Sequence, residues 1–364
     1  MCAFNITVLD QRSTPVASTA TTILVGGIAG GILVFVAIAL GIVLFLLRKS
    51  KQRVFTLETF FTETDEAILA KAKVIKAVML TRNKNGISPV IRDLPKARPQ
   101  HIDVDTPDVY SCELDRAHVT MDKEIGAGEF GQVFSGVVNR KGAKIPCAVK
   151  ICKPGIELTC KEAFIKEIRI TAKLDYPNVI SCIGYIVSTE PTLLCLEFLD
   201  IGSLQFYLTF EMVSNALENR EMCSFAIDIC AGLHYINGSG ILHRDLACRN
   251  VLLTKERRCK ISDFGLAIII PNTEHEVILS IETNGRIPIR WSAPEAIAAA
   301  KWSVTSDTWS FGIVLWEIWS YAKLPYLGWA NERLILEVTE NQYRLPPPTS
   351  CPMIIYAMMM GMKG

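Results

Sequence analysis

A few short strings hold the residues best suited to chemistry. Ile125-Gly126-Ala127-Gly128-Glu129-Phe130-Gly131-Gln132-Val133 is a GxGxxG run followed by x-V. Glycines at that spacing let backbone lie close over a phosphate chain, because no Cβ intervenes. Alone the run is a weak signal, since a dinucleotide fold uses a similar one, but Phe130 and Val133 suit a hairpin more than a strand-to-helix turn. Pro146-Cys147-Ala148-Val149-Lys150 follows as a strand ending in a cation, which by itself reads as solvated surface. Further on come His243-Arg244-Asp245-Leu246-Ala247-Cys248-Arg249-Asn250, then Asp263-Phe264-Gly265, then Ala293-Pro294-Glu295. These strings need a glycine hairpin, a strand carrying Lys150, and loops that bring the acids to the same cleft.

In order and spacing the strings match GxGxxGxV, V-A-I-K, HRDLxxxN, DFG and APE. The chain resembles the protein kinase family over about residues 118–364, and the receptor-type tyrosine kinases within it. The resemblance implies an α+β, two-lobed protein-kinase fold. A small β-rich lobe with one helix faces a large helical lobe, and ATP binds between them with Mg²⁺, for which Mn²⁺ can substitute. It implies that Lys150 pins the α- and β-phosphates and that Glu167 holds its ammonium, with Glu162 the runner-up. Asp263 then supplies a hard carboxylate to one metal ion and Asn250 an amide oxygen to the second. Asp245 orients the acceptor hydroxyl and takes its proton, with Arg249 beside it. Gly126, Gly128 and Gly131 cover the phosphates. Val133, Ala148 and Leu252 wall the adenine slot, and Glu197 to Leu199 form the hinge, with Leu196 at its inner gate. Read as residues alone, these apolar positions are equally plain core.

Serine/threonine kinases of this family mostly carry Lys two positions after the catalytic Asp; Ala247 stands there. Arg249, and the run Pro288-Ile289-Arg290-Trp291-Ser292-Ala293-Pro294-Glu295, are similar to the tyrosine-kinase pattern, in which Pro288 offers a platform for a tyrosine ring. Two features depart from it. No tyrosine lies between Leu266 and Arg290, where Val277-Ile278-Leu279-Ser280-Ile281 is apolar instead, and Ile268 replaces a usual Arg or Lys. The chain also stops at Gly364, before the family's last helices. Bare apolar surface on the large lobe is therefore expected, and Glu295 is expected to lack its usual Arg.

Upstream, no charged residue occurs from Ser13 to Leu47, and Ile23 to Leu47 is 25 residues of Ile, Leu, Val, Phe, Ala and Gly only. As a helix this run reaches about 37 Å, enough to cross a ~30 Å hydrocarbon core. Arg48, Lys49, Lys51 and Arg53 follow it, so residues 1–22 are expected outside as a short tail and all that follows is cytosolic. The expected organisation is tail 1–22, transmembrane helix 23–47, juxtamembrane segment 48–117 and kinase domain 118–364, in a single-pass protein of the cell membrane. Asn5-Ile6-Thr7 is a sequon on the outer side; Asn237-Gly238-Ser239 is silent in the cytosol. Gly26, Gly27, Gly30 and Gly31 form two GxxxG pairs that suit a homodimer through the membrane helix, or are ordinary membrane-helix glycines. Eleven of the twelve cysteines follow the span without metal-ligand spacing and read as reduced thiols.

In the juxtamembrane segment Ile68, Ala72, Ile75 and Met79 recur at spacings of four, three and four. Together with Thr62 and Asp65 as a capping pair, they predict a helix over 63–81. Tyr110, in a polar linker, reads equally as a docking site or as an ordinary tyrosine. Lys+Arg 38 against Asp+Glu 37 gives a net charge of +1, which speaks against nucleic-acid binding, and the 50% hydrophobic content excludes a disordered chain. The expected partners are tyrosine-bearing protein substrates and the membrane. Three rivals remain: a nucleotide-binding kinase-like scaffold without activity, a serine/threonine or dual-specificity kinase, and an adaptor whose tyrosines serve as docking sites.

Overall fold

Alternation of apolar and polar residues builds the first part of the fold. In the computed structural model β1 (Val119–Ala127), β2 (Gly131–Arg140) and β3 (Ala143–Cys152) form an antiparallel meander, extended by β4 (Cys182–Ile186) and β5 (Leu193–Glu197) in the order β1-β2-β3-β5-β4. The model describes residues 63–80, 112–127, 131–152, 157–214, 217–271, 274, 276–280 and 287–362. The chain divides into two units, 1–62 and 63–364, and every described residue lies in the second. The expected membrane span, Gly128 and Tyr110 fall outside the described residues. Among those described, no helix is long and apolar enough to cross a membrane.

On the sheet lies α2 (Leu158–Lys173), numbered after the earlier α1 (Glu63–Leu80). Its buried residues are Phe164, Glu167, Ile168, Ile170 and Thr171, one face at helical spacing. Phe164 and Ile168 pack with Cys152, Tyr185 and Leu194. Glu167 therefore shares the inward face with two apolar side chains.

The large lobe is helical. It contains α3 (Leu204–Ser214), α4 (Asn219–Gly238), α5 (Pro294–Ala299), α6 (Val304–Trp319), α7 (Asn331–Thr339) and α8 (Met353–Gly361). Short strand pairs hold the loops between them: β6 (Ile241–Leu242) pairs with β9 (Ile268–Ile269), β7 (Val251–Leu253) with β8 (Cys259–Ile261), and β10 (Glu276–Ile278) with β11 (Lys301–Ser303). Ser303 starts α6 with a capping box: Thr305 N donates to Ser303 Oγ at 3.2 Å, and Ser303 N donates to Ser306 Oγ at 3.0 Å. Phe311, Val314, Leu315, Ile318 and Trp319 of α6 and most of α4 make one continuous core.

The helix predicted over 63–81 is α1, and it joins this core. Ile68, Ala72 and Ile75 are buried among residues of α4 and α8. Lys71 Nζ donates to Arg220 O and Ser224 Oγ, both at 2.8 Å. A segment that precedes the sheet in the chain thus packs on the helices of the large lobe. Glu295 Oε1 is buried and has no hydrogen-bond partner among the described residues.

Candidate active site

The position of Lys150 follows from strand register. It stands opposite Val133 on β2 and Leu194 on β5, so its side chain leaves the sheet on the face covered by α2. Lys150 Nζ lies 2.7 Å from Glu167 Oε1 and 3.1 Å from Asp263 Oδ1. Three segments separated in sequence therefore meet at one ammonium. Burial opposes the charge on Lys150, but the two carboxylates outweigh it and raise its pKa above the ordinary lysine value. Burial likewise pushes against Asp263, yet Lys150 holds its carboxyl below the usual range. In Glu167 burial dominates and raises the pKa against the pull of Lys150. The side chain of Asp263 is 47% exposed, on the open side of the cluster.

The loop after β6 presents a second cluster. Burial raises the Asp245 carboxyl, and Arg249, His243 and Asn250 act against that. Its Oδ1 is ion-paired with Arg249 Nη2. Asn250 Nδ2 donates to Asp245 Oδ2 at 2.7 Å and to Asp245 O at 2.8 Å, which turns Asn250 Oδ1 away from Asp245. Arg244 and Asp263 adopt left-handed backbone, with φ of 65° and 63°. Such values cost non-glycine residues about 1–3 kcal/mol and persist only where their surroundings impose them. For Arg244 the imposing group is Asp307, fully buried in α6. Its Oδ1 accepts from Arg244 N at 3.0 Å, and its Oδ2 accepts from His243 N at 2.9 Å and Asn237 Nδ2 at 2.8 Å. His243 Nε2 meets Ser262 O at 3.1 Å, tying this loop to the one bearing Asp263.

The remaining predicted residues lie on the sheet and on β7, or close to the ends of those strands. Val133, Ala148 and Leu252 are half-buried, with Ala148 opposite Leu196 in the β3–β5 ladder. Leu252 on β7 bridges to Ser203. Glu197 Oε1 accepts from Ser181 N at 2.7 Å and Lys260 Nζ at 2.6 Å, which ties the end of β5 to β8. Leu199 O accepts from Gly202 N at 3.3 Å. A Cβ on Gly131 would lie 2.0 Å from Ile151 O, so the close β2–β3 approach requires glycine there. A Cβ on Gly126 would meet only Val133 Cβ at 3.9 Å, so the chain's own packing makes no such demand at that position. Glu162, the alternative to Glu167, is exposed and outside the cluster.

The donor set suits nucleotide phosphate with a divalent cation. Among the described residues no three His, Cys, Asp or Glu gather into a metal cage. A carboxylate from Asp263 and an amide oxygen from Asn250 each suit a magnesium ion that would keep phosphate and water as its other ligands. Residues that the sequence reading left without a role also converge here: Asp307 as described, and Glu317, whose Oε2 accepts from Cys248 N at 3.0 Å and from Trp291 Nε1 at 2.9 Å. The available signal was two acids within an otherwise largely apolar helix.

The family described as protein tyrosine and serine/threonine kinase matches residues 119–362. Ephrin type-B receptor 3 of Danio rerio is 36% identical over 252 residues, covering 69% of this chain and 50% of that protein. Ephrin type-A receptor 5 of Homo sapiens is 36% identical over 252 residues, 69% of this chain and 24% of its own length. Ephrin type-B receptor 4 of Homo sapiens is 34% identical over 252 residues, 69% of this chain and 25% of its own. The chain thus spans half the length of the first relative and about a quarter of the other two.

Proposed function

Because the chain belongs to the protein tyrosine and serine/threonine kinase family, we propose that it is a membrane-anchored protein tyrosine kinase. It moves the γ-phosphate of ATP to tyrosine hydroxyls of cytosolic proteins in signalling. The observation that carries this reading is the meeting of Glu167, Lys150 and Asp263 at one ammonium. Tyrosine preference draws on Ala247 and Arg249 in the catalytic loop and on relatives named as receptors. Membrane anchoring draws on the apolar run 23–47 and the basic residues after it.

When bound, ATP with Mg²⁺ supplies the transferable phosphoryl group. Lys150, oriented by Glu167, sets a positive charge against the α- and β-phosphates, and the glycine run that holds Gly126 and Gly131 would bring backbone over them. Asp263 and Asn250 would hold the metal ions. Val133, Ala148 and Leu252 enclose the base, and the backbone of Glu197 to Leu199 reads its edge. Asp245 orients the acceptor hydroxyl and takes its proton at Oδ2, the oxygen that is not ion-paired to Arg249. A loose phosphoryl transition state needs positioning and charge neutralisation more than covalent help, so these groups suffice.

The test is transfer of labelled γ-phosphate by the purified full chain to a Glu/Tyr copolymer, followed by phosphoamino-acid analysis. Phosphotyrosine alone is expected. Asp245→Asn is expected to lower kcat by ~10²–10⁴-fold with nucleotide binding retained. Parent-level transfer by Asp263→Asn overturns the site, and phosphoserine as the main product overturns the specificity. The rival reading is a kinase-like scaffold that binds nucleotide and partners; nucleotide binding without any transfer would establish it.

A further inference from the structure

We propose that Glu317 is a positioning residue for phosphoryl transfer, holding Trp291 and through it the Arg249–Asp245 pair. The proposal rests on the reading of Asp245 and Arg249 given above. Glu317 sits in the last turn of α6 and is 1% exposed. A carboxylate buried that deeply is costly unless hydrogen-bonded. Its donors come from two segments far apart in the chain: the Cys248 amide in the catalytic loop and the Trp291 indole beyond the activation segment. Both bonds end on the same oxygen, Oε2, so the two segments are fixed to each other as well as to α6.

The consequence falls on Arg249. Its guanidinium lies 4.2 Å from the centre of the Trp291 ring, and its Nη2 pairs with Asp245 Oδ1. The Arg249 side chain is 33% exposed, and a partly exposed ion pair four residues apart is weak by itself. The stack on Trp291 supplies the orientation that the ion pair lacks. Glu317 therefore fixes the backbone next to Arg249 at Cys248 and also fixes the ring beneath Arg249. Asn250 restrains the other oxygen of Asp245. The carboxylate that receives the proton is thereby held from both sides, and one of those sides traces back to Glu317.

Because both bonds meet at one oxygen, the amide oxygen of glutamine can accept both, whereas leucine accepts neither. The experiment uses the full chain and measures kcat, the KM values for ATP and for a tyrosine peptide, and the melting temperature. Glu317→Leu is expected to lose ~10- to 100-fold in kcat, the scale of a displaced catalytic group, with KM for ATP unchanged. Glu317→Gln restores most of that loss. Trp291→Phe, which keeps a ring but lacks the indole N–H, falls between them. Adding Arg249→Lys to Glu317→Leu costs less than Arg249→Lys costs the parent, because the pair is already loose. Parent kcat in folded Glu317→Leu overturns the proposal, as does Glu317→Gln as slow as Glu317→Leu. Should Glu317→Leu fail to fold, parent kcat in Trp291→Phe overturns it. A parent chain without transfer overturns the functional reading itself, an outcome distinct from an active parent that is indifferent to Glu317.

Discussion

Asp245 combines a raised pKa with two restrained oxygens, which makes its titration measurable. Burial raises the carboxyl and Arg249 is the foremost opposing influence, followed by His243 and Asn250. A base works only when ionised, so kcat falls as the pH drops through that raised value. Arg249→Met removes the opposing charge, and the acid limb of kcat/KM is expected to move to higher pH. A variant that is active with an unmoved limb would show that Asp245 is not the group titrating. Lys150, Asp245, Asn250 and Asp263 could be picked out of the sequence because their strings keep fixed spacing. Asp307 and Glu317 could not, because their partners are backbone amides and an indole brought near only by the fold. The sequence favours Glu167 over Glu162 on family resemblance alone; the helical face separates them, since residue 167 shares its face with Phe164, Ile168 and Thr171 and residue 162 is exposed.

Two elements invite tests of their own. In α1, Ile75 is 1% exposed within the core shared with α4 and α8. Ile75→Ala is expected to cost ~2–5 kcal/mol, and denaturant or thermal melting of the full chain would register it. An unchanged midpoint would mean that α1 is not docked in solution. The stripe of α1 was legible as a helix from its spacing, but its docking was not, since an amphipathic face does not say what it meets. The activation segment is the second element. Val277 stands opposite Trp302 in the β10–β11 pair, Val277 and Leu279 pack against the second core of the large lobe, and the Arg244 guanidinium lies 4.2 Å from the Trp302 ring centre. In related kinases a phosphotyrosine commonly orders this segment; here a strand pair and the packing of Val277 and Leu279 hold part of it. Activity is therefore expected to be independent of tyrosine phosphorylation of the segment. Initial rates of a Tyr110→Phe chain, measured after tyrosine-phosphatase treatment and after preincubation with ATP, should agree. A large ATP-driven rise that phosphatase reverses would contradict this.

At the scale of the whole chain, the basic residues after Leu47 predict a kinase unit on the cytosolic side. Proteases applied to intact cells should leave residues 118–364 uncut, and cleavage there would reverse the orientation. The lobes were legible because their motifs carry family register, whereas the inclusion of residues 63–80 in the same unit depended on contacts far apart in sequence. That inclusion bears on synthesis. Ribosomes release chain from the N-terminus at ~5–20 residues per second, so α1 emerges about 160 residues, or roughly 8–30 s, before the last turn of α4 is made. An 18-residue helix is marginal in water without a partner, so during that interval Ile68, Ala72 and Ile75 are an unsheltered apolar stripe on a nascent chain. The first helix of the unit to be translated is among the last to be placed. An apolar stripe left open for that interval is of the kind that chaperones of nascent chains bind, and a slower ribosome would lengthen its exposure.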